Sequence, residues 1–370
     1  MEKNEILVIY GKDPAAMAVR LAEEAGLADL IGGREKRIGL KPNLVVSRPA
    51  SEGATTHPEI AAGLISYLKK NGFANLVILE GSWVGDRTAD AFSVCGYGKL
   101  SGETGVELID TQKDRARACG CRGMDIEICE SALALDFMIN LPVMKGHCQT
   151  LLTCALKNNK GIIPDREKRR FHSLGLTRPI AHLNTVARND FIVVDGICGD
   201  LDFEEGGNPV YAGRLFAARD PVLCDAWAAD QMGYAAAEIP YIGLAEKLGV
   251  GSADLSRVFV REIDGGAETG AARAAAAGLA PRPEGKVRQL AEHIAGAEAC
   301  SACYAGLVYA LSRMGRAELG RLEGKVSVGQ GFRGKKGKLG IGRCCSGFSA
   351  FCPGCPPSGA EALKFLRKHI

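Results

Sequence analysis

Long apolar runs and aromatic residues are scarce in this sequence, and each absence narrows the choice of function. No hydrophobic stretch approaches the roughly 20 residues that a membrane-spanning helix needs. The first five residues are charged or polar and lead into a strand-like run, Ile6 to Tyr10, so we expect no export signal and a cytoplasmic protein. Aromatic residues make up 6% of the chain and form no stacking motif near its basic end, which argues against nucleic acid as a partner.

Acidic residues are scarce at one end of the chain. The formal net charge is +3 over 370 residues, but the segment from Cys300 to Ile370 contains twelve Lys and Arg, three Glu and no Asp. A surface with such an excess of positive charge attracts anions. We therefore expect the partner to be an acidic redox protein or an anionic small molecule.

The order of the predicted elements indicates an α/β fold. Short β-branched runs alternate with helical patterns, which predicts a largely parallel sheet flanked by helices in residues 1–264. Residues 265–284 are rich in alanine and glycine and are interpreted as a linker, with an alanine-rich helix as the alternative. Residues 285–370 are predicted to form a small α+β domain that carries a metal cluster.

The densest polar segment runs from Lys145 to His172. A short helix starting at Thr150 would place Thr153 and Lys157 near one face. One interpretation is a solvated basic loop around residues 166–170. The other is a cleft at the strand ends that binds a carboxylate or phosphate through Lys41, Asn43, Lys157, Asn158 and Lys160. In that case Lys145, His147 and His172 are the candidate catalytic residues, the two histidines because imidazole titrates near neutral pH.

Six of the fourteen cysteines lie between Cys300 and Cys355. The Cys300-Ser-Ala-Cys303 pair and the later cysteines can supply the four thiolates that zinc or an iron–sulfur cluster requires. The gap between Cys303 and Cys352 is longer than in typical zinc ribbons, and proline and glycine flank the last cysteines, which favours a 4Fe-4S cluster over zinc. Buried structural cysteines with no metal are the third interpretation.

The closing cysteine segment resembles a known motif. Gly340-Ile-Gly-Arg-Cys344 followed by Cys352-Pro-Gly-Cys355-Pro-Pro is similar to the cysteine motif near the end of several 4Fe-4S proteins. The Gly-Cys-Pro-Pro string also occurs in small subunits of hydrogenases and respiratory dehydrogenases. The resemblance implies that the cluster ligands are Cys300, Cys303, Cys344 and Cys355, with Cys345 and Cys352 as alternates.

A second resemblance covers roughly residues 35–235. Lys41-Pro-Asn-Leu-Val, Leu141-Pro-Val-Met-Lys-Gly-His147, Leu156-Lys-Asn158 with Gly161, Asp195-Gly-Ile and Arg219-Asp-Pro-Val-Leu-Cys-Asp225 resemble the family catalogued as domain of unknown function 362. Members are often joined to ferredoxin-like cysteine modules, and their reaction is generally unassigned. This chain lacks the tandem ferredoxin run C-x-x-C-x-x-C-x-x-x-C-P, so the resemblance implies one cluster at most.

These observations lead to three hypotheses. The first is an iron–sulfur redox or electron-transfer protein, in enzyme terms an oxidoreductase, linked to an anionic substrate or partner in a basic cleft. The second is a zinc-stabilised binding protein or an acid–base, isomerase-type enzyme whose metal site is structural. In the third, the cluster serves as a Lewis acid or a structural staple, and Cys345 or Cys352 is a displaceable ligand.

Overall fold

The computed structural model describes residues 1–263 and 286–370 and confirms the predicted α/β fold. The predicted linker, residues 265–284, lies outside the described residues. The strands before this gap are β1 (Glu5–Tyr10), β2 (Ile38–Pro42), β3 (Leu76–Glu80), β4 (Glu107–Asp110), β5 (Ala116–Gly120), β6 (Asp125–Cys129), β7 (Phe137–Leu141), β8 (Lys145–His147), β9 (Leu151–Thr153), β10 (Phe191–Asp200), β11 (Pro209–Ala218) and β12 (Phe259–Ile263).

Eight of these strands form the central sheet, in the order β12-β1-β11-β10-β7-β2-β3-β4. Neighbouring strands are parallel except at β11, which is antiparallel to both β1 and β10. Two smaller hairpins, β5 with β6 and β8 with β9, lie outside this sheet. The sheet is therefore largely parallel, as the alternation of strands and helices predicts.

Helices cover both faces of this sheet. They are α1 (Pro14–Glu24), α2 (Leu27–Ile31), α3 (Pro58–Lys70), α4 (Thr88–Val94), α5 (Tyr97–Thr104), α6 (Glu130–Leu133), α7 (Ala155–Asn158), α8 (Asp165–Ser173), α9 (Thr177–Leu183), α10 (Pro221–Gln231) and α11 (Pro240–Lys247). The strands β1, β2, β3 and β7 are buried at every residue, which is expected where helices pack on both faces. Each face has its own hydrophobic core.

Local sequence signals fix several of the helix starts. Asp13 and Asp220 precede Pro14 and Pro221, and each aspartate accepts hydrogen bonds from two backbone N–H groups of the first turn. An N-cap aspartate followed by proline at the first helical position is a favourable helix start. These signals explain why α1 and α10 begin where the sequence predicts.

The part of the chain after residue 285 forms a second, smaller unit. Four parallel strands, β13 (Ile294–Gly296), β14 (Val326–Val328), β15 (Leu339–Ile341) and β16 (Ala350–Cys352), make its sheet. Its helices are α12 (Lys286–Ala291), α13 (Ser301–Ser312), α14 (Arg316–Leu319) and α15 (Gly359–Lys368), and α13 packs against α15. Cys148 and Phe203 of the large domain pack against its hydrophobic core, so the two units are in contact.

Two local predictions are wrong. The helix expected from Thr150 is replaced by the β8–β9 hairpin, and helix α7 begins only at Ala155. Residues 166–170 are not a loop but lie in α8, where the helical period turns Lys168, Phe171 and His172 inward. No helix in the described ranges is long and apolar enough to cross a membrane.

Candidate functional site

A polar pocket lies at the carboxyl ends of the central strands, where sheets of this type bind ligands. It has an empty volume of about 630 Å³. Strand β3 contributes Glu80 and strand β8 contributes His147, while residues around α7 and α8 supply the lysines. The small domain closes the pocket with the start of α13. The charged or potentially charged side chains in its lining are Glu80, His147, Lys157, Lys160, Lys168, His172, Glu204 and Cys300.

Lys41 and Lys145 are buried and bind residues that line this pocket. Lys41 is fully buried and forms an ion pair with Glu80, with 2.5 Å between Nζ and Oε2. Lys145 Nζ donates to Asn43 Oδ1 at 3.1 Å and to the carbonyls of Ala54 and Glu204. Burial lowers the pKa of both amines, that of Lys145 to about 7. Neither side chain is part of the pocket lining, which does include their partners Glu80, Asn43 and Glu204. The anion-binding role of Lys41 and the catalytic role of Lys145 stay predictions.

Three lysines line the pocket: Lys168, which pairs with Asp165, and Lys157 and Lys160. Lys157 Nζ lies 3.3 Å from the hydroxyl of Thr153, and Lys160 Nζ lies 3.4 Å from Nε2 of His172. Within the described ranges neither amine forms an ion pair with a carboxylate. Burial lowers the pKa of Lys157 to about 8, and burial together with Lys157 and Lys168 lowers the pKa of Lys160 further. An anion in the pocket would stabilise both in the protonated form.

A chain of amides holds the lysines in place. Asn43 donates to Asn158 Oδ1 at 2.9 Å, and Asn158 donates to Asn140 Oδ1 at 2.7 Å and to the carbonyl of Lys41 at 3.2 Å. These bonds connect α7 to the ends of β2 and β7. Asp225, in α10, accepts from the backbone N–H of Leu156 and so fixes the first turn of α7. Asn43 and Asn158 thus line the pocket and also support it.

His147 is held by Glu204, which the sequence did not identify. Its Nδ1 accepts the backbone N–H groups of Gln149 and Thr150 at 3.0 and 3.3 Å. The ring proton is therefore on Nε2, which lies 3.3 Å from Glu204 Oε1. Cys148 also binds Glu204, through its backbone N–H and its thiol. Burial and Lys157 lower the pKa of His147 well below its ordinary value, so the imidazole is neutral.

Ser301 links the polar pocket to the cysteines. Its hydroxyl donates to Gln149 Oε1 at 3.0 Å and lies 3.3 Å from His172 Nε2 and 3.5 Å from His147 Nε2. Burial and Lys160 lower the pKa of His172 well below its ordinary value. The two predicted histidines thus meet at one serine. The contact between Ser301 and His172 could not be predicted from the sequence, because the two residues are 129 positions apart.

The four cysteines Cys300, Cys303, Cys344 and Cys355 line a second pocket, with an empty volume of about 470 Å³. Cys300 also lines the polar pocket, so the two pockets are adjacent. Among the described residues, no three of these sulfur atoms lie within 4.8 Å of one another. Tetrahedral zinc would hold its sulfurs about 3.8 Å apart, given the usual zinc–sulfur bond length.

The backbone around these cysteines is open because glycines surround them. Gly342 and Gly354 line the cysteine pocket with φ angles of +86° and +126°, which side-chain-bearing residues rarely adopt. A Cβ atom at Gly342 would lie 3.4 Å from Cys303 Sγ. Neither position therefore carries a side chain that would obstruct a bulky group between the sulfurs.

The remaining cysteines lie elsewhere. Cys345 and Cys352 are buried in the small domain, and the thiol of Cys345 points to the carbonyl of Ser327 at 3.5 Å. In the large domain, Cys154 and Cys224 lie beside Asp225 in a group that is completely buried. Burial raises the pKa of both thiols, which keeps them protonated and inert.

The comparison with known families covers the large domain. The model described as Domain of unknown function (DUF362) matches residues 38–230, more than half of the 370 residues. The chain belongs to this family. The DUF362 match includes Lys41 to Glu204, and therefore every side chain that the large domain contributes to the polar pocket. The cysteines after residue 299 lie outside the DUF362 match.

Two individual proteins resemble parts of this DUF362 chain. The thylakoid-associated protein sll1697 of Synechocystis sp. (strain ATCC 27184 / PCC 6803 / Kazusa) is 24% identical over 230 residues, which are 58% of this chain and 68% of the relative. The lactate racemase apoprotein from Thermoanaerobacterium thermosaccharolyticum matches with a TM-score of 0.39 and 16% identity over 58% of this chain. This second match spans about half, 54%, of the racemase chain.

Proposed function

We propose that the chain is a 4Fe-4S protein that exchanges electrons with an anionic small molecule bound beside its cluster. The observation that carries the proposal is the position of Cys300, which lines both the cysteine pocket and the polar pocket. A redox centre held by this residue would lie next to whatever the lysines bind. The proposal makes the chain an iron–sulfur oxidoreductase or an electron-transfer protein.

The cysteine pocket fits a cubane cluster. No three of its four sulfurs lie within 4.8 Å of one another among the described residues, and in a cubane each cysteine binds a different iron, so its sulfurs lie farther apart than in tetrahedral zinc. Burial and the neighbouring cysteines raise the pKa of Cys300 and Cys303, which disfavours thiolates at these positions. A bound cluster supplies one-electron redox chemistry, and its iron would stabilise these sulfurs as thiolates.

The polar pocket fits a small carboxylate or phosphate. Lys157 and Lys160 supply positive charge without carboxylate partners in the part of the chain that the structure describes. Helix α13 is 12 residues long, and its first residues, Ser301 and Ala302, face the pocket. The positive end of the helix dipole therefore adds to the lysines. Neutral His147 would donate a hydrogen bond to the ligand from Nε2, and neutral His172 would accept a proton at its Nε2.

Absorption spectroscopy with metal analysis tests the cluster. Protein purified without oxygen should contain about four irons and four sulfides per chain and show a broad visible band that dithionite bleaches. Colourless protein with one zinc would contradict the proposal and make the metal site structural. Reduced and oxidised protein should also differ in their affinity for a pocket anion such as malonate, because the cluster charge changes by one unit beside the pocket.

A second candidate is an acid–base, isomerase-type enzyme in which the metal centre is only structural. The observation that favours it is the pKa of Lys157, which burial lowers to about 8, within reach of proton transfer near neutral pH. Under this hypothesis with redox-inactive zinc at the cysteines, dithionite changes no charge beside the pocket, so malonate should bind equally well with and without it. Unequal affinities would favour the redox proposal.

A further inference from the structure

The cysteine pocket has one side toward solvent and one toward the polar pocket. Cys355 is exposed and Cys344 is half-buried, whereas Cys300 borders the polar pocket. Electrons can therefore enter through the Cys344 and Cys355 side while the small anion occupies the Cys300 side. The electron donor and the small anion would therefore bind at different surfaces.

The solvent side is strongly basic. Between Glu323 and Glu361 the chain contains six Lys and Arg and no acidic residue. Arg333 and Arg343 line the cysteine pocket together with Arg169 from α8. Arg333 also hydrogen bonds with Cys344. Positive charge is therefore concentrated around Cys344 and Cys355.

Most of these cations have no acidic partner. Arg169, Arg333, Lys335, Lys336 and Arg343 are exposed, and in the described ranges none forms an ion pair with a carboxylate; these five residues are called the basic rim. By contrast, the nearby Lys338 is neutralised by Glu323 at 3.1 Å. Unpaired surface charges of one sign create a field that steers an oppositely charged molecule toward them.

We infer that the basic rim is the docking surface for an acidic one-electron carrier protein, an inference that rests on the proposed cluster. In the reaction, one electron passes from the reduced carrier to the cluster. The carrier is oxidised by one unit, the cluster is reduced by one, and no bond forms or breaks. Electron-transfer complexes of this kind have small interfaces and depend on complementary charge for their association rate.

The rim is less suited to nucleic acid. Single-stranded nucleic acids stack their bases on exposed aromatic side chains. Phe332 is half-buried and Phe348 is buried against it, and no large exposed hydrophobic residue of the described ranges lies in the rim. The residues around the cysteines are therefore better suited to bind a charged protein surface than a nucleic acid.

A charge reversal on the rim tests the inference. Lys335→Glu combined with Lys336→Glu changes two exposed side chains. Lys335 also lies over the ring of Phe332, 5.9 Å from its centroid, so circular dichroism must show that the variant is folded. The matched control is Lys69→Glu with Lys70→Glu, an adjacent pair at the end of α3 that is also exposed and changes the net charge by the same amount. Lys69 donates to the carbonyl of Thr104, so this variant too is checked for folding. The probe is flavodoxin, an acidic flavin-containing carrier, added to the full chain purified without oxygen.

Two readouts are needed. The first is the dissociation constant for oxidised flavodoxin, measured by calorimetry at several salt concentrations. The second is the rate at which photoreduced flavodoxin bleaches the cluster band. The rate of bleaching by dithionite serves as the reference. At low salt, the affinity of the rim variant for flavodoxin and its rate of reduction should both fall at least about tenfold, and most of their salt dependence should disappear. In the control variant, both quantities should stay within about twofold of the unmodified protein. Reduction by dithionite should be unchanged in both variants.

The outcomes separate the two proposals. An iron-free, colourless protein would overturn the proposed function and the carrier site with it. A bleachable protein whose affinity for flavodoxin responds equally to both pairs, or to neither, would overturn the docking surface alone. Binding of a labelled oligonucleotide that only the rim variant loses, with flavodoxin unaffected, would reassign the rim to nucleic acid.

Discussion

Lys157 and Lys160 are the side chains that give the polar pocket its ligand preference. Lys157 is buried and Lys160 is half-buried, and neither has a carboxylate partner in the described chain, whereas Lys41 is neutralised by Glu80. The sequence predicted all three as anion-binding residues, because a lysine at a strand end has the same pattern whether it is paired or free. Only the three-dimensional structure shows that the charge of Lys41 is paired with that of Glu80.

We predict that anion binding to the pocket takes up protons. Burial lowers the pKa of Lys157 to about 8, so above that pH a growing share of these amines is neutral. A bound anion favours the protonated amine and raises its pKa. The affinity for malonate should therefore fall as the pH rises above about 8. Calorimetry in two buffers with different ionisation enthalpies measures the proton uptake, and proton release would contradict the assignment.

Replacing Lys157 should weaken this binding. A charged hydrogen bond contributes about 1.5–3 kcal/mol, so Lys157→Ala should lower the affinity for malonate about tenfold or more. The exposed Lys69→Ala is the control and should have no effect. Unchanged binding in Lys157→Ala, with a folded protein by circular dichroism, would exclude the pocket as the anion site.

The buried pair of Lys41 and Glu80 should matter for stability rather than for binding. Glu80→Gln leaves the Lys41 amine without its counter-charge in a site that is fully buried. Removing one partner of such a pair costs about 3–5 kcal/mol in the free energy of unfolding. Urea unfolding measures this loss. The double variant Lys41→Met with Glu80→Gln should recover part of it, and no difference between the two variants would contradict the pairing.

Among the secondary-structure elements, the central strands were predictable and the short elements around the site were not. Buried β-branched runs such as β1 and β3 carry a strong pattern. The strands β8 and β9 have three residues each, too few for any periodicity, and Leu151, the first residue of β9, has a positive φ of 65°. Helix α8 was missed because its charged residues concealed the inward-facing Phe171 and His172.

The turn at Gly161 joins α7 to α8 and must pass close to the buried ion pair. A Cβ atom there would clash with Glu80 Oε1 and Lys41 Nζ. We predict that Gly161→Ala destabilises the protein by more than about 1 kcal/mol and weakens malonate binding. Gly102→Ala is the control, because nothing lies within 4 Å of its Cβ position in helix α5. Alanine should stabilise that helix slightly, and equal thermal unfolding of both variants would contradict the packing.

At the scale of the whole molecule, the site exists only because the two domains meet. Gln149 donates to the carbonyl of Ala299 across the contact, and Ser301 lies beside both histidines. Sequence patterns record local periodicity, whereas this contact joins residues 150 positions apart. The residue types of the site could therefore be predicted, but Ser301 and Glu204, which complete it, could not.

Stability should also depend on pH through His57, which joins the start of α3 to strand β10. Although burial opposes protonation, the contact with Asp195 at 2.8 Å raises the pKa of His57 to about 10, compared with 6.5 in the unfolded chain. Its contribution to stability is therefore complete below pH 6.5 and disappears as the pH rises through about 10. His57→Gln should lower the free energy of unfolding by about 2 kcal/mol at pH 6 and by almost nothing above pH 10. A pH-independent loss would contradict the ion pair.

The most direct test of the central claim is the iron content of two matched cysteine variants. Cys355→Ser changes a cysteine in the cysteine pocket, and Cys352→Ser changes one three residues away that is buried in the small domain's core. Both are purified without oxygen, and iron, sulfide and the visible band are measured in each. The proposed cluster predicts that Cys355→Ser loses or strongly diminishes the band, while Cys352→Ser retains about four irons per chain. Equal iron content in both variants, or zinc in place of iron, would contradict it.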